Sequence, residues 1–321
     1  ILLVYFVNWA IAAQGDDTWL HSTGWRLMLV SEAIPALLFL GLLTLVPDTP
    51  RWLVMKGHVD RAHSLLSRLA GESEARTIIR DIQQSLVVPQ HVGTNLFAFG
   101  SLVIVAGIML SVFQQFVGIN AVLYYAPLMF HNLGASTDSA LWQTVIVGLA
   151  NVVFTVIAIL TVDGLGRKPL LIIGGLVMGV AMLTLGFQFQ ANAVGTGPLI
   201  AAIAYIAGFA LSWGPVTWVM LSEMFPNAIK NRAMAIAVAA QWIANLFVSW
   251  TFKILIGNSA LNAMFNHGFP YWIYGVMSFL AAAFVYFFVP ETKQRTLEEI
   301  QNLWLHGSSA TAARVQQSAT S

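Results

Sequence analysis

The chain has 321 residues, of which 58% are hydrophobic and only 9% are charged, and its formal net charge at pH 7 is +1. Soluble domains carry about a quarter charged residues, so this composition excludes an ordinary water-soluble domain. The small net charge gives no overall attraction to nucleic acid, and the lack of cysteine excludes both a disulfide framework and a cysteine-ligated metal site.

The apolar residues form stretches long enough to cross a bilayer, which takes about 20 helical residues. Residues 1–7 are too few, and we expect them to end a helix that begins before this chain; a short interfacial or signal-like segment is the alternative. The segment 96–131 is too long for one straight crossing, which indicates a tilted or broken helix. The sequence predicts an all-α membrane protein with seven complete spans, at 24–46, 96–131, 139–162, 169–190, 198–221, 232–256 and 269–289.

Residues 48–90, between the first two spans, differ in character from the rest of the chain. They mix basic and acidic residues, and apolar positions such as Ala62, Leu65, Leu66 and Leu69 recur at helical spacing. We therefore predict short amphipathic helices that lie at the membrane surface.

The basic residues also predict the orientation of the chain. They concentrate in alternate loops, at 48–90, 167–168, 230–232 and beyond 290. The opposite loops contain no Lys or Arg, and these loops are 11–23, 132–138, 191–197 and 257–268. The positive-inside rule then places the 48–90 segment and the C-terminus in the cytoplasm.

Three amides and a tyrosine lie close together in the second predicted span. Gln114 and Gln115 are adjacent, and Asn120 is about 140° around an ideal helix from Gln115, whereas Asn120 and Tyr124 share a face. Gly118 could interrupt the helix so that the amides converge on one cavity, as in the discontinuous helices of transporters. The alternative is that the amides hydrogen-bond neighbouring helices.

The third and fifth spans carry further candidates. Asn151, followed one turn later by Thr155, suits a ligand contact and helix packing equally well. The stretch 212–218 predicts a second interrupted helix, with Gly214 and Trp218 on one face. Trp218 lies too deep for an interfacial aromatic belt, although packing in the core remains an alternative reading of it.

In the sixth span Gln241, Asn245 and Ser249 recur every fourth residue beside Trp242, which indicates a face toward a polar lumen. Amides donate and accept hydrogen bonds, as hydroxyl groups do, and an aromatic plane packs on the apolar face of a sugar ring. Lys253 is alone near a span end, so no cationic cluster is available for a phosphate or carboxylate. The residues therefore indicate a neutral, polyhydroxylated ligand.

Glu32 is the only carboxylate well inside a predicted span, roughly 9–12 Å from the outer end at 1.5 Å per residue. An intramembrane carboxylate is a candidate for proton coupling. The alternative is that Glu32 pairs with an Arg outside this chain. His131 lies at a span end and His267 in an outer loop, so we expect neither a metal site nor a cofactor.

Five short motifs resemble those of the sugar porters of the major facilitator superfamily, in that family's order. They are PDTPRWL at 47–53, QQFVGIN at 114–120, DGLGRKP at 163–169, EMFP at 223–226 and PETK at 290–293. The resemblance implies a partial major facilitator fold. It divides the chain into the end of an N-terminal bundle (1–46), a cytoplasmic linker (47–95), a complete six-helix C-terminal bundle (96–289) and a cytoplasmic tail (290–321).

The resemblance also implies roles for individual residues. Within the family, 111–133 and 213–242 are most similar to bacterial D-xylose–proton symporters. Positions that match sugar contacts are Gln114, Gln115, Asn120, Tyr124, Asn151, Gly214, Trp218, Gln241 and Trp242. The contact by Gly214 and the choice of a pentose rest on the resemblance alone, as does the match of Glu32 to a partner of the family's proton-carrying Asp.

A second set of residues resembles the family's cytoplasmic latch, which holds the two bundles together in the outward-facing state. Its members here are Arg51, Asp163, Arg167 and Glu223. Without the motifs, these charges would be read only as setting topology. Asp48 replaces the usual Glu, and Lys230 stands where Arg is usual and cannot make the same bidentate pair.

Together these features predict a secondary active transporter, not an enzyme, that imports a monosaccharide such as D-xylose with protons by alternating access. The alternatives are an uncoupled hexose or pentose facilitator and a non-transporting sugar sensor. We expect a monomer in the bacterial inner membrane whose partners are the sugar, the proton and the lipid bilayer, with no nucleic acid. Because the family's proton-carrying Asp falls outside the chain, we expect this stretch alone not to transport.

Overall fold

The computed structural model describes residues 1–87, 95–97, 99–132, 134–193, 196–226 and 229–293. The predicted cytoplasmic tail therefore lies largely outside the described residues. The first helices are α1 (Leu2–Ala12), α2 (Asp17–Trp19), α3 (Trp25–Ser31), α4 (Ala33–Leu43), α5 (Pro50–Met55), α6 (Val59–Ala70) and α7 (Glu72–Val87), with a π-helical turn at Leu20–Gly24. The following helices are α8 (Ser101–Phe116), α9 (Ile119–Asn132), α10 (Thr137–Leu165), α11 (Arg167–Gln190), α12 (Thr196–Leu211), α13 (Pro215–Met224), α14 (Lys230–Gly257), α15 (Ser259–Phe265) and α16 (Phe269–Phe288).

Within the described ranges, seven helical segments are long and apolar enough to cross a membrane. They run over Asp17–Leu43, Ser101–Asn132, Thr137–Leu165, Arg167–Gln190, Thr196–Met224, Lys230–Gly257 and Phe269–Phe288. Helices suit these stretches because a bilayer offers no water to satisfy backbone N–H and C=O groups. The seven predicted spans and the all-α fold are confirmed.

The chain divides into two compact units. One unit combines Ile1–Gly24 with the residues from Asn95 onward, and the other is Trp25–Thr94. Residues 1–24 thus belong with the later helices, because α1 packs against α10 and the Tyr5 hydroxyl donates to the Leu123 carbonyl at 2.7 Å. The four-part division drawn from the resemblance stays a prediction.

In the first unit, α11 packs closely against both α12 and α16. A Cβ added at Gly174 would lie 1.8 Å from Ser212 Oγ, and one at Gly175 would lie 2.9 Å from Ala282 Cβ. Membrane helices associate through such small residues because lipid supplies no hydrophobic force between them, so close packing must do so. The glycines of α11 therefore set the spacing of the three helices.

Two spans in this unit are broken. The chain leaves α8 at Phe116 and resumes in α9 at Ile119, and Gly118 between them has φ of +90°, which favours glycine. The chain also leaves α12 at Leu211 and resumes in α13, where Pro215 begins the new helix. Both predicted interruptions are confirmed.

In the second unit, α5, α6 and α7 share a small apolar core, and they are the short amphipathic helices that the sequence predicts. Ala62 and Leu66 belong to this core, but Leu69 is 75% exposed, contrary to the expected stripe. Leu69 lies in the last turn of α6, and that last turn contributes no buried apolar side chain, whereas the earlier turns do. On the surface of α7, Arg76 donates to Glu72 at 2.9 Å and lowers the pKa of that carboxyl.

Candidate functional site

An open cavity of about 430 Å³ lies beside the two helix breaks of the first unit. Its volume falls in the range of about 300–1,000 Å³ that is usual for small-molecule sites. All nine predicted sugar-contact positions line it: Gln114, Gln115, Asn120, Tyr124, Asn151, Gly214, Trp218, Gln241 and Trp242. Other lining residues are Ile1, Ile119, Leu123, Thr155, Phe209, Ala210 and Pro215.

Gln114 is the centre of a chain of buried amides at the cavity wall. Its Oε1 accepts hydrogen bonds from Nε2 of Gln241 at 2.6 Å and from Nε2 of Gln115 at 3.1 Å. Its own Nε2 donates to the carbonyl of Trp213, in the break between α12 and α13, at 3.2 Å. The position of Gln114 is therefore fixed by groups from α8, α14 and the second break.

The chain of amides continues across the first break. Nδ2 of Asn120 donates to Oε1 of Gln115 at 2.7 Å and to Oδ1 of Asn245 at 2.9 Å. Ser249 Oγ in turn donates to Oδ1 of Asn245 at 3.3 Å. In the predicted polar stripe of α14, only Gln241 lines the cavity, while Asn245 hydrogen-bonds to Asn120. That arrangement differs from the expected lumen-facing row.

One acceptor of this network is unpaired in the part of the chain that the structure describes. Oε1 of Gln241 is buried and has no hydrogen-bond partner among the described residues. A buried polar atom without a partner costs about 1–3 kcal/mol, which a ligand hydroxyl donating to it would recover. The side-chain donors of Gln114, Gln115 and Asn120 already hydrogen-bond to neighbouring groups. Gln241 is therefore the member of this chain of amides whose acceptor is still unpaired.

Three aromatic side chains from different helices border the cavity. Tyr124 on α9, Trp218 on α13 and Trp242 on α14 are 58%, 42% and 63% exposed, so their rings remain available to a ligand. Trp218 is therefore not core packing. Phe209, which also lines the cavity, was not predicted; its position one turn before the second break was the available signal.

Glu32 does not belong to this unit. It lies between α3 and α4 in the Trp25–Thr94 unit, and its side chain is exposed in the described structure. Its role in proton coupling stays a prediction.

The predicted latch residues are partly brought together. Arg167 forms ion pairs through Nη2 with Asp163 at 2.9 Å and with Glu223 at 3.0 Å. Arg167 is largely buried and joins the end of α10, the start of α11 and α13. Arg51 lies on α5 in the other unit, so its part in the latch stays a prediction.

Glu291 is a functional candidate that the sequence reasoning missed, although its motif was noticed. Its carboxylate accepts backbone N–H bonds from Arg167 at 3.1 Å and Lys168 at 3.0 Å, the first residues of α11. It also accepts from the backbone N–H groups of Thr292 and Lys293, both at 2.9 Å. A carboxylate at a helix N-terminus is favoured by the helix dipole. The Thr292 hydroxyl donates to Glu223, which links this motif to the Arg167 ion pairs.

Comparison with known proteins finds a matching family and relatives that are named as sugar transporters. Residues 1–304 match the family described as "Sugar (and other) transporter". The chain is 56% identical to the D-xylose-proton symporter of Escherichia coli K12, over 94% of this chain and 62% of that protein. It is 47% identical to the glucose facilitated diffusion protein of Zymomonas mobilis, over 94% of this chain and 64% of that protein. The chain thus spans a little under two thirds of the length of these relatives.

Solved structures give the same result. The proton:xylose symporter XylE bound to 6-bromo-6-deoxy-D-glucose has a TM-score of 0.78 and 56% identity, over 94% of this chain and 64% of that chain. The inward-open xylose transporter XylE from E. coli has a TM-score of 0.80 and 51% identity, over 94% of this chain and 62% of that chain. The helical arrangement described above is therefore shared with these structures.

Proposed function

We propose that the full-length protein imports a monosaccharide together with protons. The premise is that this chain belongs to the sugar transporter family of the major facilitator superfamily. The substrate is D-xylose, and the mechanism is alternating access around the cavity described above. The protein lies in the bacterial inner membrane as a monomer with its C-terminus in the cytoplasm, as the distribution of basic loops indicates.

The observation that carries this proposal is the composition of the cavity wall. A chain of neutral amides lies on one side, and within it Oε1 of Gln241 has no hydrogen-bond partner among the described residues. The rings of Trp218 and Trp242 offer apolar planes for the C–H face of a sugar ring. The nine lining positions named above are the proposed sugar contacts, and none of them carries a formal charge, which suits an uncharged polyol.

The names of the relatives support this substrate class. The E. coli relative is a D-xylose-proton symporter, and a relative from Bacillus subtilis, 36% identical, is an arabinose-proton symporter. The 47% identical relative from Zymomonas mobilis is a glucose facilitated diffusion protein. That relative makes uncoupled diffusion of a hexose or pentose the second candidate function.

The charged face at the end of α10 and the start of α11 is proposed as the latch of the transport cycle. Arg167, Asp163 and Glu223 already form ion pairs there, and Arg51 is proposed as a further member of the latch. Glu32 is proposed as a member of the proton-coupling site, because it is an acidic residue in an apolar span.

Uptake of labelled xylose and glucose by the full-length protein in proteoliposomes tests the proposal. We expect xylose to accumulate against its concentration gradient only when a proton gradient is imposed. Glu32→Gln should abolish this accumulation but still permit exchange of sugar across the membrane. If the sugar only equilibrates across the membrane, at a rate independent of the proton gradient, the facilitator is favoured. No uptake of either sugar would refute the sugar assignment.

A further inference from the structure

The break between α8 and α9 determines where two of the cavity amides lie. Gln115 belongs to the last turn of α8, and Asn120 belongs to the first turn of α9. In a straight helix they would be about 140° apart, yet their side chains are hydrogen-bonded at 2.7 Å. Whatever fixes the shape of the break therefore fixes the distance between these two amides.

A tyrosine outside the cavity binds the break directly. The Tyr205 hydroxyl, on α12, donates to the backbone carbonyl of Val117 at 2.9 Å, and both residues are 0% exposed. A straight helix would pair this carbonyl with the N–H of Ala121, four residues later. The hydroxyl instead meets the carbonyl at the point where the helix is interrupted.

A second contact holds the break from the side of α16. A Cβ added at Gly118 would lie 2.5 Å from Cγ of Tyr274, so the aromatic ring rests directly against the glycine backbone. Gly118 also needs its positive φ, which side chains rarely adopt. The interrupted segment is thus enclosed by α12 and α16 with little freedom to change shape.

The two broken spans are tied together in both directions. Tyr205, before the second break, donates to the carbonyl at the first break, and Gln114, before the first break, donates to the Trp213 carbonyl at the second. Trp213 is itself held by its indole N–H, which donates to the Leu171 carbonyl of α11 at 2.8 Å. The shape of each break therefore depends on the other.

We infer that Tyr205 is a positioning residue for sugar binding. It does not line the cavity, and it acts by holding the Val117 carbonyl so that Asn120 lies beside Gln115 and Gln114. The inference rests on the proposed sugar site. It adds to that site a residue that acts on sugar affinity through the shape of the break.

The test compares Tyr205→Phe with a matched control in the full-length protein. Tyr205→Phe keeps the buried ring and removes only the hydroxyl that donates to Val117. Tyr271→Phe makes the same chemical change at another 0% exposed tyrosine, whose hydroxyl has no hydrogen-bond partner among the described residues. We expect Tyr205→Phe to raise the xylose Kd by roughly two- to tenfold, the effect of one net hydrogen bond, and Tyr271→Phe to leave it unchanged. Thermal unfolding of both variants without sugar checks that they remain folded.

A double-mutant cycle separates positioning from general loosening of the fold. If Tyr205 acts through Asn120, Tyr205→Phe should have little further effect on the Kd in an Asn120→Ala background. It should keep its full effect in a Trp242→Phe background, because Trp242 takes no part in the hydrogen bonds described above that join the break to the amides. An unchanged Kd for Tyr205→Phe, or additive effects with Asn120→Ala, would overturn the inference. Absence of sugar binding by the unmodified protein would instead contradict the proposed function.

Discussion

Gln114→Ala is the substitution that should disturb the proposed sugar site most. The side chain accepts from Gln115 and Gln241 and donates to the Trp213 carbonyl, so Ala removes all three hydrogen bonds. It leaves donors and an acceptor at the cavity wall that must find new partners. The change therefore alters the whole amide chain and not a single contact.

The magnitude follows from these bonds. Each buried polar group left without a partner costs about 1–3 kcal/mol. In the sugar-free protein, water can enter the open cavity and satisfy part of this loss, but a bound sugar displaces that water. We therefore expect the xylose Kd to rise by roughly ten- to a hundredfold, with a smaller effect on thermal stability.

The assay is calorimetric titration of xylose into the purified full-length protein. Gln143→Ala is the matched control, because Gln143 is a partly buried glutamine of the same unit that does not line the cavity. Its side chain hydrogen-bonds within α10, to Ser139 at 3.1 Å. Its Kd should equal that of the unmodified protein. A Kd for Gln114→Ala within about twofold of the unmodified protein, with unchanged unfolding temperature, would refute the assignment of the amide chain to sugar binding.

Two further predictions concern stability, each measured by the thermal unfolding midpoint in detergent. Glu291→Gln removes the carboxylate at the start of α11 and should destabilise the protein by about 1–2 kcal/mol. Asp81→Asn, at an exposed position in the interior of α7, should shift stability by less than about 0.5 kcal/mol, and equal shifts would contradict a capping role. Gly174→Ala puts a Cβ 1.8 Å from Ser212 Oγ and should cost about 1–3 kcal/mol. Gly41→Ala, where a Cβ meets nothing within 4 Å, should be neutral or slightly stabilising, and a loss as large as that of Gly174→Ala would mean that close packing is not the cause.

Much of the fold could be predicted because a bilayer imposes local rules. Each span must be a mostly helical, apolar stretch of about 20 residues or more, and the basic loops mark one side of the membrane, so both features can be read from short windows of sequence. The two breaks were also predictable, since Gly118 and the Gly214–Pro215 pair are residues that interrupt helices. The spans of the structure follow these signals, except that the first begins at Asp17, seven residues before the predicted start at Gly24.

The candidate site was predictable as a set of residues but not as an arrangement. Amides and aromatics within apolar spans stand out, and the resemblance to sugar porters selects the same side chains and adds the contact by Gly214. The sequence did not reveal that Asn245 hydrogen-bonds to Asn120 behind the cavity. Periodicity shows which face of α14 is polar, but it does not show which of its residues meets the cavity.

The sequence by itself therefore determined the membrane class, the spans, the breaks and the polar residues, because each depends on neighbours in the chain. Only the tertiary structure brought Gln241 to Gln114 across 127 positions, Glu291 to the start of α11 and Tyr205 to the Val117 carbonyl. Such contacts depend on how helices pack, through small residues such as Gly174, and no local pattern specifies the partner. The amide chain at the cavity is the product of that packing.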